Sequence, residues 1–460
     1  MVLSMNNSSL VSQEDYLYIL TCLLSSNLDF HDEQGGYATH NFHSFPAKFP
    51  PQLPKKFIET LTKPGDIVLD PMAGSGTTIV EAVLADRASI GIDIDPLALK
   101  IIKVKTTPID KNVVTKQLGE IIFNANLSLS RNAKDLKDNQ SEYFGADTKK
   151  FINQWFLPET QLELYALIKE IRKISDLDIQ NFFLVCFSAI VITKSGGVSL
   201  ALDLGHTRPH LAKKVIDRTG KLLFGENSTS IPSYLTKTLK PTLTEFEKRC
   251  LQNLNGLLSP AINYRIPNVI FGNAQLLPLP ENSVDLIVTS PPYASNAIDY
   301  MRAHKYSLTW LGHSIKELSL QRNKYIGGES TSEYRFEVLP EFAAQVVNSL
   351  NKQDKKKSQV LHRYYSEMTH SLREMFRVLK PGKSAIVVVG NSTMRGMETQ
   401  TDICLAEIGK SLGFQVPRIG VRQLERNKRM LPAGMNLNLE SQIQQRMHEE
   451  YVIGFYKPIS

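Results

Sequence analysis

The chain has 460 residues, 42% of them hydrophobic and 22% charged, which excludes collagen-like, disulfide-dense and wholly disordered proteins and leaves room for two or three domains at roughly 150 residues each. The 53 Lys+Arg against 46 Asp+Glu give a net charge of +7, a surplus that suits a polyanionic partner without requiring one. Cys22, Cys186, Cys250 and Cys404 stand far apart with no C-x-x-C pair, so neither a zinc site nor a disulfide framework is expected and a reducing cytoplasm is the expected location. The most apolar run, residues 182–192, is too short to span a membrane, and the first residues lack the basic-then-apolar order of a signal peptide.

Residues 1–38 read as an N-terminal arm with one helix, from Gln13 to Leu24. From 39 to 105 an aromatic and proline-rich segment leads to the apolar run DIVLD, a glycine turn, the helical stretch TTIVEAVLADRA and a second apolar run, SIGIDID. Strand, turn, helix, strand is the opening of a doubly wound α/β sheet. Residues 106–262 break that alternation. They carry a polar portion, apolar residues at helical spacing (Leu162, Leu164, Leu167, Ile168, Ile171), the buried-looking FFLVCFSAIVI and a basic tail, and read as an inserted, largely helical domain. The sheet pattern resumes over 263–460. NVIFGNA is a strand and turn, VDLIVTSPPY a buried strand ending in a proline-stiffened loop, and AIDYMRAHKYSLTWLG a helix. The lysine-rich NKQDKKKS reads as a loop, and YYSEMTHSLREMFRVLKPG as an amphipathic helix closed by Pro381 and Gly382. SAIVVVG is a strand buried on both faces, and QVPRIGVRQL and EEYVIGFYK form a terminal antiparallel hairpin.

In DIVLDPMAGSGTT the strand runs into Asp70 and Pro71, then Gly74, Ser75 and Gly76, and a helix begins near Thr77. The glycines permit positive φ and close approach of a ligand, and the helix start offers unpaired N–H groups. Asp93, ending SIGID, stands where an acid accepts hydrogen bonds from both ribose hydroxyls. Ile79 follows Gly76 where a third glycine would stand, and G-K-[ST] is absent, so a dinucleotide and a P-loop nucleotide are both disfavoured. A bare tight turn is the plain alternative. With DPMAGSGTT followed by GID, the chain resembles the class I S-adenosylmethionine-dependent methyltransferases, in particular the branch that methylates exocyclic amino groups of DNA bases. That resemblance implies a seven-stranded, mostly parallel sheet. It also implies S-adenosylmethionine bound by Asp70, Pro71, Gly74, Ser75, Gly76, Thr77, Thr78 and Asp93, with the glycine turn against the amino acid part and Asp93 on the ribose.

The second motif is the loop Ser290, Pro291, Pro292, Tyr293. Two prolines fix φ near −65° and remove two N–H donors, leaving outward carbonyl acceptors. The Ser290 hydroxyl and Pro291 carbonyl suit the two N–H bonds of an exocyclic amine, with Tyr293 stacked on the ring of a flipped base. Transfer from a sulfonium needs an aligned nitrogen lone pair more than covalent help, so no conventional nucleophile or strong base is expected. A proline-stiffened surface loop is the plain alternative for a lone S-P-P-Y. Among the enzymes the chain resembles, S-P-P-Y is typical of cytosine-N4 and D-P-P-Y or N-P-P-Y of adenine-N6 methylation. The resemblance therefore implies cytosine N4, with adenine N6, an RNA base and a catalytically silent DNA-binding regulator as alternatives.

By the same resemblance Phe45, Pro46, Ala47 and Lys48 help form the cofactor pocket, and Asn273 with Ala274 stands where the family has an acid near the adenine amine. Asp299, Tyr300 and Arg302 are placed at the base pocket. His40 and His43 read as structural histidines, and no metal is expected. The stretch from Lys194 to Lys240 carries eight basic residues, Lys194, Arg208, Lys213 and Lys214 among them, against three acidic ones. Arg422 and Arg426 belong to a second basic cluster. Both clusters suit DNA phosphates, and a solvated face is the plain alternative for each. The cofactor motif preceding the S-P-P-Y motif, with an insertion between, resembles the alpha-type arrangement of these enzymes, although the insertion falls before the GNA strand. Together these features imply duplex DNA as partner and a restriction–modification role in which any endonuclease is a separate chain.

Overall fold

The computed structural model describes residues 12–45, 48–193, 195–202, 204, 209–226, 231–294, 300–424 and 448–459. Helix α1 (Gln13–Ser25) starts where the Ser12 side chain accepts the Asp15 N–H, and it buries Leu20 and Leu24. After α2 (Gln52–Leu61) come β1 (Ile67–Asp70), α3 (Thr77–Leu84), β2 (Ala88–Asp93) and α4 (Pro96–Thr106). Helix α4 starts with proline in its first turn and with the Asp95 carboxylate accepting the Leu97 and Ala98 N–H groups, a capping arrangement legible in the sequence DIDP.

The insertion follows as α5 (Lys111–Arg131), α6 (Ala133–Tyr143), α7 (Ala146–Trp155), α8 (Pro158–Ile171) and α9 (Leu177–Val191), then β3 (Lys214–Ile216), β4 (Leu222–Gly225) and β5 (Thr236–Thr238), and α10 (Thr242–Leu254). The basic tail thus contains a small sheet of order β4-β3-β5, which its sequence did not announce. The insertion's helices share one core with α4, through Leu97, Ala98 and Ile101, and with residues 301–310, through Met301, Tyr306 and Trp310.

The remainder runs β6 (Asn268–Phe271), β7 (Val284–Thr289), α11 (Tyr300–Leu308), α12 (Ile315–Arg322), α13 (Glu341–Asn351), α14 (Lys355–Val378), β8 (Leu379–Val389), β9 (Thr393–Met394), β10 (Met397–Glu398), α15 (Thr401–Ser411), β11 (Ile419–Gln423) and β12 (Glu449–Tyr456). Of the lysine-rich stretch expected as a loop, residues 352–354 do connect α13 to α14, whereas residues 355–358 form the first turn of α14, which Asp354 caps by accepting the Lys357 N–H. Pro381 and Gly382 do not close that helix. It ends at Val378, and both residues lie within β8.

The main sheet has order β11-β12-β8-β7-β1-β2-β6. Only β12 runs against its neighbours, pairing antiparallel with β8 and β11, so the sheet is mostly parallel and ends in the expected antiparallel pair. Helices cover both faces, which is why all six residues of β7 are buried. Side chains alternate along the strands. Val68, Leu286, Val288, Ile386 and Val388 face α1 and α2, whereas Leu69, Ile287, Ala385 and Val387 face α13, α14 and α15. No described helix is long and apolar enough to cross a membrane.

Candidate active site

Strands β1 and β7 are parallel neighbours in register Val68↔Leu286 and Leu69↔Ile287. This pairing places the two motifs, more than two hundred residues apart in the chain, side by side at the carboxyl ends of adjacent strands, where open α/β sheets bind ligands. Polar contacts fasten the junction. The Thr289 hydroxyl donates to Asp70 Oδ1 at 2.7 Å, and the Thr78 hydroxyl donates to the Val288 carbonyl at 3.1 Å. Gly74 and Gly76 have φ of +49° and +76°. A Cβ on Gly76 would stand 2.8 Å from Ile102 Cγ1, so both the conformation and the approach of α4 require glycine here.

A cleft open to solvent lies at this junction. Its lining includes Phe45, Lys48, Asp70, Pro71, Gly74, Ser75, Thr77, Asp93, Asn273, Ala274, Ser290 and Pro292. Residues expected at a cofactor and residues expected at a target base therefore share one cavity. Three carboxylates line it, Asp70, Asp93 and Asp95. Burial raises the Asp70 carboxyl to about 6 against the hydrogen bonds it accepts from Thr289, Thr78 and Met72. Burial, reinforced by the nearby Asp95 charge, raises Asp93 to about 7. Asp93 is held from both sides, Oδ2 accepting the Gly74 N–H at 2.7 Å and Oδ1 the Asp95 N–H at 2.8 Å. Acidic groups beside the aromatic rings of Phe45, Phe49, Tyr300 and Tyr325 fit a ligand with a sulfonium and an ammonium group.

Several lining residues carry no motif. Lys324, Tyr325 and Ile326 reach the cleft from the turn after α12. That turn is tied down where Gln321 Nε2 donates to the Ile94 carbonyl and where the Gly327 N–H donates to Glu367 Oε2 at 2.8 Å. Tyr300 stacks on Phe45 with ring centroids 5.2 Å apart. Lys105 is fully buried on α4, and its ammonium donates to the Ser75 carbonyl at 2.7 Å. Burial pushes that ammonium well below its ordinary range. A lysine in an apolar helix gives no sequence signal of this kind, because its partner is a main-chain oxygen on another element.

Other expected residues stand elsewhere. Pro291 and Tyr293 are not among the cleft-lining residues. The Tyr293 ring packs on the core that covers one sheet face, and its hydroxyl donates to Glu450 Oε1 at 2.9 Å. Thr78 lies buried beneath the turn. Arg422 is corrected as a DNA contact. It is 6% exposed, its Nε donates to the Leu28 carbonyl, and its guanidinium pairs with Glu450. Lys237, counted in the basic excess, is likewise buried and donates to the Ser199 and Ala201 carbonyls. Lys213 is exposed, and Lys214 and Arg302 are half-buried. Pro46, Ala47, Lys194, Arg208, Asp299 and Arg426 lie outside the described residues. His40 Nε2 meets Glu81 Oε1 at 2.6 Å, and His43 Nε2 meets the Ser188 hydroxyl at 2.9 Å. Among the described residues no group of three or more His, Cys, Asp or Glu could hold a metal ion.

The strand order and the cleft at the ends of β1, β2 and β7 are those of a class I methyltransferase. The N6/N4 methyltransferase family model, described as DNA methylase, matches residues 24–104 and 284–424. It thus includes both motifs and passes over the insertion and β6. The chain is 26% identical to the type II methyltransferase M.MvaI of Kocuria varians, over 81% of each chain. It is 24% identical to M.BsoBI of Geobacillus stearothermophilus, over 88% of this chain and 85% of that one. It is also 24% identical to M.AvaI of Nostoc sp., over 76% and 74%. Over the two matched segments the chain is similar to DNA methylases of the N6/N4 family, and along most of its length it is similar to type II methyltransferases.

Proposed function

We propose that this enzyme methylates the N4 amine of cytosine in duplex DNA at a fixed sequence, in the cytoplasm, as the modification partner of a separate restriction endonuclease. The observation that carries the reading is the position of Ser290 and Pro292 in the same cleft as Asp70, Gly74 and Asp93. The serine at the head of the loop supports cytosine, and the relatives' description as type II methyltransferases supports the restriction–modification role.

Asp93 would hold the ribose of S-adenosylmethionine, and Gly74, Ser75 and Gly76 would lie along its methionine part with Phe45, Lys48, Pro71 and Thr77 around it. Asn273 and Ala274 border the adenine. Asp70 and Thr78 fix the turn from below. Bound S-adenosylmethionine supplies an electrophilic methyl group on a sulfonium. A cytosine flipped out of the helix, at a cost of about a few kcal/mol, presents its amine to the Ser290 hydroxyl and the Pro291 carbonyl, which accept its two N–H bonds. These bonds turn the nitrogen lone pair in line with the methyl carbon. The bound donor would supply its methyl group to that nitrogen and leave as S-adenosylhomocysteine, and the amine proton would pass to solvent. Tyr293, packed on the core and anchored by Glu450, stiffens the loop. Lys213, Lys214 and Arg302 contribute phosphate contacts.

The test is to incubate the protein with labelled cofactor and mixed-sequence duplex DNA, digest to nucleosides and identify the methylated one by mass spectrometry. N4-methylated deoxycytidine is expected. N6-methylated deoxyadenosine would overturn the base assignment, and transfer to structured RNA alone would overturn the substrate.

A further inference from the structure

We propose that His304 is a positioning residue for cofactor binding, acting through Asp95 to hold the Asp93 carboxylate in the cleft. His304 Nδ1 lies 2.6 Å from Asp95 Oδ2, with the two side chains 0% and 5% exposed. The other oxygen, Asp95 Oδ1, accepts the Leu97 N–H at 2.8 Å and the Ala98 N–H at 3.4 Å. Both oxygens of Asp95 are therefore committed, and its main chain is fixed with them. The Asp95 N–H donates to Asp93 Oδ1, and Asp93 Oδ2 accepts the Gly74 N–H. A continuous run of polar contacts thus leads from α11, through the ends of β2 and α4, to the glycine turn.

Two further observations favour a role for the imidazole beyond packing. The His304 ring lies against Phe45 and Tyr300, at centroid distances of 5.1 and 5.9 Å, and both of those side chains line the cleft. His304 Nε2 is buried with no hydrogen-bond partner. An apolar ring would fill the same space without leaving a polar atom unpaired, so the feature that histidine adds is the Nδ1 bond to Asp95. Burial by itself would push the Asp95 carboxyl up, yet His304 beside it holds it below its usual range. The carboxylate that caps α4 stays ionised and in place.

The proposal rests on the cleft being the cofactor site. The full chain should be titrated with S-adenosylmethionine and with S-adenosylhomocysteine by calorimetry, and methyl transfer measured in a single turnover at saturating cofactor. His304→Phe keeps a ring but removes the bond to a charged group, and should weaken both ligands about tenfold or more while the single-turnover rate stays within about threefold. His304→Asn places an amide N–H where Nδ1–H stood. It should recover affinity to within about threefold of the parent although it fills less space and lowers the melting temperature. Equal loss in the two variants, unchanged affinity in His304→Phe, or a lost rate with intact affinity would each overturn the proposal. Should His304→Phe fail to fold, Asp95→Asn is expected to carry the same loss of affinity, and normal binding by that variant would overturn it. If the parent binds neither ligand, the cofactor reading of the cleft fails, and this proposal with it.

Discussion

Asp93 accepts two main-chain N–H groups and still faces the cleft, and its carboxyl is raised to about 7 chiefly by burial and then by Asp95. Two pH effects of opposite sign follow. For folding, a carboxyl that holds its proton more tightly when folded stabilises the protein at low pH, and that contribution is lost as pH rises from about 4 to about 7. In the proposed cofactor site, ribose hydroxyls would donate to the ionised carboxylate, so affinity should fall as pH drops from 8 to 6. Calorimetric titration of the cofactor across that range tests the second effect. Asp93→Asn should flatten the profile and weaken binding about tenfold at pH 8. A profile that remains steep in the variant would move the titration to another group, Asp70 being the nearest candidate because burial raises it to about 6.

At the scale of elements, β11 and β12 do more than finish the sheet. Arg422 on β11 and Glu450 on β12 pair with each other, and Glu450 also accepts the Tyr293 hydroxyl, so the last two strands brace the loop that follows β7. Removing Arg422 leaves a mostly buried carboxylate without its cation. Arg422→Met is therefore expected to cost about 3 kcal/mol in urea unfolding, while the salt dependence of DNA binding keeps its slope. A slope reduced by about one, with stability unchanged, would return Arg422 to the DNA surface. Sequence could suggest an Arg-rich stretch but not its orientation, because Leu28, the partner of its Nε, lies near the other end of the chain. The elements themselves were more legible. The buried run of β7 and the glycine turn are written in local residue order, whereas the first turn of α14 was obscured by lysines that a solvated helix face and a loop accommodate equally well.

Across the whole molecule, the motifs gave the sheet and most of the cleft floor because each lies at the end of a strand whose apolar pattern is clear. The parts that escaped reading are long-range. The tether that brings Lys324, Tyr325 and Ile326 to the cleft depends on Gln321 and Glu367 meeting elements distant in the chain. The small sheet of the insertion is built from strands of three to four residues with little alternation. The insertion also packs into one core with α4 and α11, which ties it mechanically to the helix that carries Tyr300 and His304. In the proposed reaction one cleft serves both partners, with the glycine turn for the cofactor and Ser290 for the amine. The most direct measurement compares Ser290→Ala with the parent in cofactor affinity and in single-turnover methyl transfer to DNA. Affinity within about twofold and a transfer rate lower by about a hundredfold are expected. Transfer at the parent rate, or loss of cofactor binding along with transfer, would contradict the proposed reaction.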